Sequence, residues 1–331
     1  METLAFEGSA VMQELAVGLD IGGSWSRAAL GGRDGKILRS TALPVEGSSN
    51  ASFLEHLDTL IESLAGGDLP SVKGIGVGAA GRLSLSRGSI LFSPHTKLKD
   101  VEIRSHLMDR YKKPVVLLND CVMATLAEKR IGAGAGHENL VYVGIGTGIG
   151  GGIVLDGRIL LGKDGNAHEI GHMIIDMDGR LACECGGRGH WEAYTSGSGI
   201  PKYARLLAKT FGMETPLASR LVSASLGSKD IFEALSTGDP LAKHVMGECA
   251  RLNAIALANL TDLYDPEIII IGGGVAVKNR KAVVGPLEAE VQKYAFNVPP
   301  KIAATPMGED SPLIGSVLSV FEPSLMDNKS A

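Results

Sequence analysis

The sequence predicts an α/β fold in which two similar lobes enclose a cleft. With 331 residues, the chain is longer than one hydrophobic core usually supports. An apolar strand, a glycine turn and further strands beginning at residue 15 recur in outline over residues 140–161, roughly 125 residues later. Stretches of helical periodicity separate the strands. A repeated β-meander of this kind predicts a duplicated fold, with one lobe from each half of the chain.

The first half alternates strands with helices. The Gly22-Gly23 turn separates two strands within residues 15–30, and a following Asp-Gly turn leads into a third. Apolar residues recur at helical spacing over residues 51–65, and Gly66-Gly67 ends that helix. The remaining elements of this half are a strand in VKGIGVGA with a glycine-rich loop after it, a helix near 103–111, a strand at 115–118 and a helix at 121–130.

The second half begins with the repeated meander. Residues 140–161 predict two strands around a glycine hairpin, with a third strand after an Asp-Gly turn. Residues 197–265 are mainly helical by pattern, and EIIIIGGGVA is a buried strand that runs into a glycine loop. We expect a first lobe at 15–118 and a second at 119–311, with a C-terminal helix at about 312–325 that packs back on the first lobe.

Composition and charge exclude several classes of function. A net charge of −5 without a long basic run argues against nucleic acid or an anionic membrane as a partner. No stretch approaches about 18 consecutive apolar residues, and the acidic N-terminal segment does not read as a secretory signal. Four cysteines, two of them isolated, do not form a disulfide framework. We therefore expect a cytoplasmic protein with a small-molecule partner, whose natural start is Met1 or Met12.

Three glycine-rich loops, each after an apolar strand, predict a nucleotide site. The 44 glycines of the chain indicate many tight turns, and glycine lets backbone N–H groups approach a phosphate closely. One such loop alone would indicate only a β-turn. GIGTGIGGG lacks the following helix of a dinucleotide-binding motif, and no P-loop pattern occurs. The residues offered to a nucleotide are Asp20, Gly22, Gly23, Ser24, Gly146, Thr147, Gly148, Gly273 and Gly274.

Two aspartates next to these loops suggest phosphoryl transfer. A carboxylate at Asp20 would repel phosphate unless a cation lay between them, which indicates Mg²⁺. Asp120 follows the strand at 115–118 and begins a helix, a usual place for a functional side chain in α/β proteins. Asp120 alone would be assigned as a helix N-cap. Together with the phosphate loops, it is the candidate base that accepts a proton from the attacking hydroxyl.

The segment 169–192 combines metal-ligand residue types with two acids. His172, Cys183, Cys185 and His190 form a set that would bind Zn²⁺ tetrahedrally. The alternative is two free thiols in a turn with polar histidines nearby. Four such ligands within nineteen residues among glycines favour the metal. Glu169 and Glu192 flank this set without being needed as ligands, so they are free to bind a polar substrate.

These residues resemble the ROK family of sugar kinases within the actin-like ATPase superfold. The resemblance extends from Val17 to about Phe321 and rests on DIGGS, the pair Asn119-Asp120, GIGTGIGGG, EIGH with CECGGRGHWE, and DPEIIIIGGG. It implies two ribonuclease-H-like lobes that close over ATP and a hexose, with Asp120 as general base on the sugar 6-hydroxyl.

The resemblance also implies a role for each matching position. The hexose would contact Asn119, Glu169, His172 and Glu192, while the glycine loops would bind ATP. His172 would place one ring nitrogen on structural Zn²⁺ and donate the other to the sugar. His190 stands where the family usually has a third cysteine. Gly81-Arg82 stands where many glucokinases of the family have Gly-Pro, so Arg82 either contacts the sugar or is a solvated loop residue.

Several alternatives stay open from the sequence. Glucose is the first candidate substrate, and N-acetylmannosamine or N-acetylglucosamine is the alternative because of Arg82. A sugar-responsive ROK transcriptional regulator is less favoured, since only sixteen residues precede Val17 in this acidic chain. A non-catalytic sugar-binding ATPase is disfavoured by the set of hexose-contacting residues. ATP is the expected donor, with ADP or polyphosphate as alternatives, and we expect a homo-oligomer, either dimer or tetramer.

Overall fold

The computed structural model describes residues 14–45, 49–93, 98–212, 214–222 and 225–326. The choice between Met1 and Met12 as the natural start therefore lies outside the described residues. Within these residues no helix is both long enough and apolar enough to cross a membrane.

In the part of the chain that the structure describes, the strands build two five-stranded sheets and one small sheet. In chain order they are β1 Leu15–Ile21, β2 Trp25–Gly32, β3 Ile37–Pro44, β4 Val72–Ala79, β5 Arg82–Ser84, β6 Ser89–Phe92, β7 Lys99–Val101, β8 Val115–Asn119, β9 Leu140–Ile145, β10 Ile149–Leu155, β11 Arg158–Ile159, β12 Ile268–Gly272 and β13 Lys301–Ala304.

The two larger sheets share one topology. The first has the order β3-β2-β1-β4-β8 and the second the order β11-β10-β9-β12-β13. In each, an antiparallel meander is followed by two parallel strands. Parallel pairing requires a long crossover, which helices and further segments supply between the paired strands. The predicted duplication of the β-meander is confirmed.

Twelve α-helices within the described residues connect and cover the sheets. They are α1 Asn50–Ala65, α2 Ile103–Tyr111, α3 Asp120–Ile131, α4 Glu192–Thr195, α5 Gly199–Phe211, α6 Pro216–Arg220, α7 Ser228–Ser236, α8 Pro240–Tyr264, α9 Gly274–Lys278, α10 Arg280–Val283, α11 Leu287–Val291 and α12 Ser311–Ser319. The helices predicted at 51–65, 103–111 and 121–130 are confirmed to within one residue at each end.

α3 and α12 link the two sheets. α3 begins where β8 of the first sheet ends, yet its buried side chains pack with those of β9, β10 and β12 in the second. α12 packs on the first sheet through an apolar cluster that includes Val317 and Ala16. A Cβ on Gly18 would lie 2.8 Å from the backbone nitrogen of Val317. Not all of the glycine excess serves turns, because glycines inside strands also allow α12 to approach closely.

Four short strands were not predicted. β5, β6 and β7 form a small antiparallel sheet, and β13 extends the second sheet at its edge. Each has only three or four residues, and the segments RLS and KDV carry polar side chains. A strand this short shows too few residues for its alternation to be recognised in the sequence.

Candidate active site

The two aspartates expected to serve catalysis lie at one edge of the first sheet. β1, β4 and β8 run parallel, and the register pairs Ile21 with Ala79 and Ala79 with Asn119. Neighbouring strands lie about 4.8 Å apart, so the carboxyl ends of the three strands form one row. Asp20 stands one residue before this row and Asp120 one residue after it. The fold thus places their backbones within roughly 10 Å of each other.

Arg27 belongs to this site and was missed by the sequence analysis. It lies on β2 directly opposite Asp20, and its Nε and Nη2 atoms donate to Asp20 Oδ2 at 2.9 and 2.7 Å. Burial raises the pKa of Asp20, and the adjacent guanidinium opposes that rise. Counting outward from a two-residue Gly22-Gly23 turn would pair Asp20 with Trp25, whereas the observed register pairs Ile21 with Ser26 and so brings Arg27 opposite Asp20. The contact therefore depends on a longer loop than the one predicted.

Arg27 also joins the first glycine loop to the third. Its Nη1 donates to Asp310 Oδ1 at 2.9 Å, and its Nη2 donates to the carbonyl oxygen of Glu309 at 2.6 Å. Glu309 Oε1 accepts from Lys278 Nζ at 3.0 Å, and a Cβ on Gly274 would overlap the same carboxylate oxygen. The guanidinium of Arg27 and the carboxylate of Glu309 therefore connect residues of both lobes.

We expect Arg27→Ala to destabilise the protein, because Asp20 would be left buried without its counter-charge. The expected loss in the free energy of unfolding is about 1–3 kcal/mol, measured by denaturant titration at pH 7.5. Arg39→Ala is the matched control, since Arg39 on β3 forms an exposed ion pair with Asp68 that is worth about 0–1 kcal/mol. Equal losses in the two variants would contradict the structural role of Arg27.

Asn119, not Asp120, caps helix α3. The Asn119 side-chain oxygen accepts from the backbone N–H of Cys121 at 2.8 Å, and Asp120 is the first residue of the helix. Asp120 Oδ1 also lies 2.9 Å from the same nitrogen. Burial, and next the charge of Asp20, raises the pKa of Asp120 to about 6. A carboxyl with this pKa is largely ionised at neutral pH and can still hold a proton during reaction.

The second and third glycine loops face each other at the edge of the second sheet. β9 and β12 are parallel neighbours, and Gly144 pairs with Gly272 just before the two loops. A Cβ on Gly146 would meet the backbone nitrogen of Gly274 at 4.0 Å, with nothing nearer. Gly273 has a φ of 84°, which favours glycine. Because Gly146 has no side chain, the space between the two loops stays open. The pair of loops therefore fits a phosphate or ribose placed against the backbone.

The hairpin 146–148 is held from one side by the start of α5. The N–H of Gly197 donates to the carbonyl of Gly146 at 2.8 Å, and the N–H of Ser198 donates to that of Thr147 at 3.1 Å. The side chain of Thr147 is exposed, whereas Gly146 and Gly148 are half-buried. In the first lobe, Ser24 is exposed at the corresponding turn. Both hairpins thus present small residues at the edges of their sheets.

The four predicted metal ligands lie together. One ligand atom from each of His172, Cys183, Cys185 and His190 lies within 4.8 Å of the other three. Cys185 Sγ and His190 Nδ1 are 3.3 Å apart, so the His190 ring faces the cluster. Zn–S bonds of about 2.3 Å and Zn–N bonds of about 2.0 Å would place a tetrahedral pair of ligands at roughly this separation. The donor set and its spacing therefore fit Zn²⁺.

The two acids beside the cluster were expected to be free for substrate, but both have protein partners. Glu169 Oε2 lies 2.9 Å from Nδ1 of His172. Glu192 Oε2 accepts from the N–H of Ile149 at 2.9 Å, and its Oε1 lies 3.6 Å from the sulfur of Cys183. Glu192 thus connects the metal cluster to the glycine hairpin. If the second ring nitrogen of His172 binds metal, a sugar can reach this ring only by displacing Glu169.

The segment with Gly81 and Arg82 follows β4 and leads into β5. Gly81 has a φ of 113°. A Cβ on Gly81 would lie 3.1 Å from the backbone of Ser93. Arg82 begins β5 and is exposed. The N–H of Ala80 donates to the carbonyl of Ile21 at 3.1 Å, which fixes the start of this loop beside Asp20. The loop therefore lies on the same edge as the two aspartates.

Comparison with known proteins places most of the chain in one family. A family model described as ROK family matches residues 16–321. The chain is 35% identical over 311 residues to a glucokinase from Aeropyrum pernix, covering 91% of this chain and 94% of that protein. It is 32% identical over 314 residues to a glucokinase from Thermotoga maritima, covering 92% and 97% of the two chains.

Two solved structures are similar over nearly the full length. One is a ROK family glucokinase from Streptomyces griseus in complex with glucose and AMPPNP, with a TM-score of 0.76 at 30% identity over 92% of this chain and 98% of that one. The other is a ROK hexokinase from Thermus thermophilus, with a TM-score of 0.76 at 29% identity over 94% and 99% of the two chains. These likenesses confirm the predicted two-lobed α/β fold.

Proposed function

The chain belongs to the ROK family, and we propose that it transfers the γ-phosphoryl group of ATP to the 6-hydroxyl of a hexose, with glucose as the first candidate. One observation carries this proposal: Asp20 and Asp120 share an edge of the first sheet, and Arg27 connects that edge to Glu309, whose carboxylate lies beside Gly274 of the third glycine loop. A base, a cation ligand and phosphate-binding loops are the parts that phosphoryl transfer requires.

We assign the ATP site to the three glycine loops. Gly23 and Ser24 on the first lobe and Thr147 and Gly148 on the second would contact the phosphates through backbone N–H groups. The N–H groups of Gly22 and Gly146 donate within their own hairpins, so these two glycines would contribute by leaving room for the phosphates. Gly273 and Gly274 would lie on the adenosine side. Asp20 would hold the Mg²⁺ that accompanies ATP, directly or through water. The S. griseus glucokinase was solved with AMPPNP, an ATP analogue, which supports ATP as the donor.

We assign the hexose to the cleft between Gly81-Arg82 and the segment with Glu169. Asn119, Glu169 and Glu192 would contact sugar hydroxyls, and Asp120 would orient the 6-hydroxyl. His172 would contact the sugar only where a sugar hydroxyl displaces Glu169 from its Nδ1. The oxygen of that hydroxyl attacks the γ-phosphorus, the bond to the bridging oxygen of ADP breaks, and the proton passes to Asp120. We place the boundary between the lobes at residues 118 and 119, so that lobe closure would bring the two substrates together and exclude water.

We assign a structural zinc to His172, Cys183, Cys185 and His190. When bound, Zn²⁺ would rigidify the segment that carries Glu169 and Glu192, while the transfer chemistry stays with Asp120. The contact between Glu169 and His172 resembles the carboxylate–histidine pairs that orient metal ligands. We further expect a homo-oligomer that acts in the cytoplasm, and light scattering after size exclusion tests the oligomeric state.

The pH profile of kcat/KM should report the ionisation of Asp120. Because the base must be unprotonated and the pKa of Asp120 is raised to about 6, kcat/KM should fall as pH falls through 6. At pH 5 it should be about tenfold below its plateau. Phosphate groups ionise in the same range, so the profile is repeated with a thiophosphate donor, whose terminal group ionises at lower pH. If the acidic side of the kcat/KM profile shifts in pH when the donor is changed, the assignment to Asp120 is contradicted.

The decisive experiment is a coupled assay with ATP over glucose, mannose, N-acetylmannosamine and N-acetylglucosamine. We expect glucose to give the highest kcat/KM, and the phosphorylated carbon is identified by NMR of the product. A clear preference for an N-acetylhexosamine would replace glucose as the substrate and assign a role to Arg82. Absence of phosphorylated product from every sugar with ATP, ADP and polyphosphate would overturn the proposed function.

A further inference from the structure

Glu128 is a buried acid of α3 that the proposed reaction does not use. Its side chain is completely enclosed. Burial raises the pKa of the carboxyl, and hydrogen bonds to its oxygens oppose that rise. A buried carboxyl is costly unless it is hydrogen-bonded, and an apolar side chain of the same size would avoid that cost. We therefore expect this acid to hold a particular set of donors in place.

The donors are two hydroxyls and one backbone N–H group. Thr305 Oγ1 donates to Glu128 Oε1, and the N–H of Ala133 donates to Oε2 at 2.9 Å. Ser311 Oγ lies 3.0 Å from Thr305 Oγ1 and 3.5 Å from Glu128 Oε1. Thr305 directly follows β13, and Ser311 begins α12. Glu128 thus anchors both ends of the β13–α12 segment, residues 305–311.

Between these anchors, the β13–α12 segment reaches the nucleotide side of the proposed active site. The carbonyl of Glu309 and the carboxylate of Asp310 both accept from Arg27. Glu309 Oε1 lies beside Gly274 of the third glycine loop, where a Cβ would overlap it. That loop is the one assigned to the adenosine. The conformation of the segment therefore decides how much space and which acceptors this side of the site offers.

Close packing holds α3 and α12 together independently of Glu128. A Cβ on Gly315 would overlap the carbonyl oxygen of Met123, so the two helices touch there. Leu126 of α3 and Leu318 of α12 also belong to one buried apolar cluster. Glu128, by contrast, meets α12 only at its first residue. We therefore expect loss of the Glu128 contacts to loosen the β13–α12 segment while the fold stays intact.

We propose that Glu128 is a positioning residue for the nucleotide, because it holds the β13–α12 segment against the third glycine loop. The inference rests on the proposed function. Glu128 lies eight residues, roughly 12 Å along α3, from Asp120, so it acts at a distance from the transfer itself. Without this anchor the segment would sample other conformations, and the apparent affinity for ATP would fall with the correctly placed population. The hexose contacts Asn119, Glu169 and Glu192 lie on other segments, so the affinity for glucose would change little.

Thr305→Val tests this role, since valine has nearly the shape of threonine but lacks the hydroxyl that donates to Glu128. We expect KM for ATP to rise by at least about fivefold, and KM for glucose to change by less than about twofold. The Kd of AMPPNP, measured by isothermal titration calorimetry, should rise with KM for ATP. Thr305→Ser keeps the hydroxyl and should restore KM for ATP to within about twofold of the wild type. Glu128→Gln loses one of the two carboxylate acceptors; the same split is expected from it, and it provides the second variant should Thr305→Val fail to fold.

Thr261→Val is the matched control, because Thr261 is a buried threonine whose hydroxyl donates within α8, to the carbonyl of Leu257 at 2.8 Å. It should leave both KM values within about twofold of the wild type. Equal rises in KM for ATP and for glucose in Thr305→Val would overturn the positioning role and leave the proposed function intact. A KM for ATP no higher than that of Thr261→Val, or an equal rise in Thr305→Ser, would likewise overturn it. Failure of the wild-type enzyme with every hexose and every donor would instead overturn the proposed function.

Discussion

Asp120→Asn is expected to abolish phosphoryl transfer and to raise the melting temperature at neutral pH. Asparagine has nearly the same shape but cannot accept the proton, and loss of a positioned base typically lowers the rate by about 10²–10⁴-fold. Glucose should still bind, as measured by isothermal titration calorimetry, because the other proposed contacts remain. Activity close to that of the wild type would remove Asp120 from the catalytic role.

The stability gain follows from the sign of the pKa shift. The pKa of Asp120 is raised to about 6 in the folded protein, against about 3.9 in an unfolded chain, so the folded state binds the proton more tightly. Stability from this group is therefore present below pH 4 and is lost as pH rises through 6. The shift corresponds to at most about 3 kcal/mol, and solvent access to the half-buried carboxyl should reduce it to about 1–2 kcal/mol.

Melting curves of Asp120→Asn and wild type across pH 4–8 test this expectation. The difference between them should be largest at pH 7–8 and should vanish towards pH 4. Asp109→Asn is the matched control, because Asp109 on α2 is exposed. A gain that is the same at every pH would show that the carboxylate charge is not its source.

Cys185→Ser is expected to release the metal and to weaken both stability and sugar binding. Thiolate is a far better zinc ligand than a hydroxyl, so elemental analysis should find about one zinc per chain in the wild type and little in the variant. If free zinc exceeds its Kd about a thousandfold, the lost stabilisation is about 4 kcal/mol. KM for glucose should rise about tenfold, with a smaller fall in kcat, because Asp120 is held by the first sheet.

His190 provides the sharper test of the metal cluster. His190→Cys supplies a thiolate at the same position and should retain zinc, whereas His190→Ala should lose it. Cys249→Ala is the matched control, since Cys249 is buried in α8 and does not belong to the cluster. A wild-type protein that contains no zinc, or equal zinc in His190→Ala, would contradict this ligand set.

Much of the fold followed from local sequence pattern. Long elements with a strong period were predicted, such as α1 at Asn50–Ala65, because many residues report the same periodicity. The repeated meander and the ROK resemblance were predicted from the order of strands, turns and motifs, and both are confirmed. The short strands β5, β6, β7 and β13 were missed because three or four residues carry no clear period.

The site was predicted less completely than the fold. The spacing of His172, Cys183, Cys185 and His190 indicated a metal cluster, and the structure brings all four together. The partners of Glu169 and Glu192 were not predicted, because they depend on which loop each side chain meets. Arg27 was missed for the same reason, and because its position opposite Asp20 depends on a loop that is two residues longer than the Gly22-Gly23 turn.

The sequence by itself determined which residue types stand at strand ends, in glycine loops and at metal-ligand spacing, because these are properties of neighbouring positions. Only the tertiary structure decided which of them meet. The contact of Arg27 with Glu309 and Asp310 joins positions more than 280 residues apart. A cavity lined by both Arg82 and Asn166 likewise lies between segments that are far apart in the sequence. Such contacts depend on the packing of whole sheets and helices, which no local pattern records.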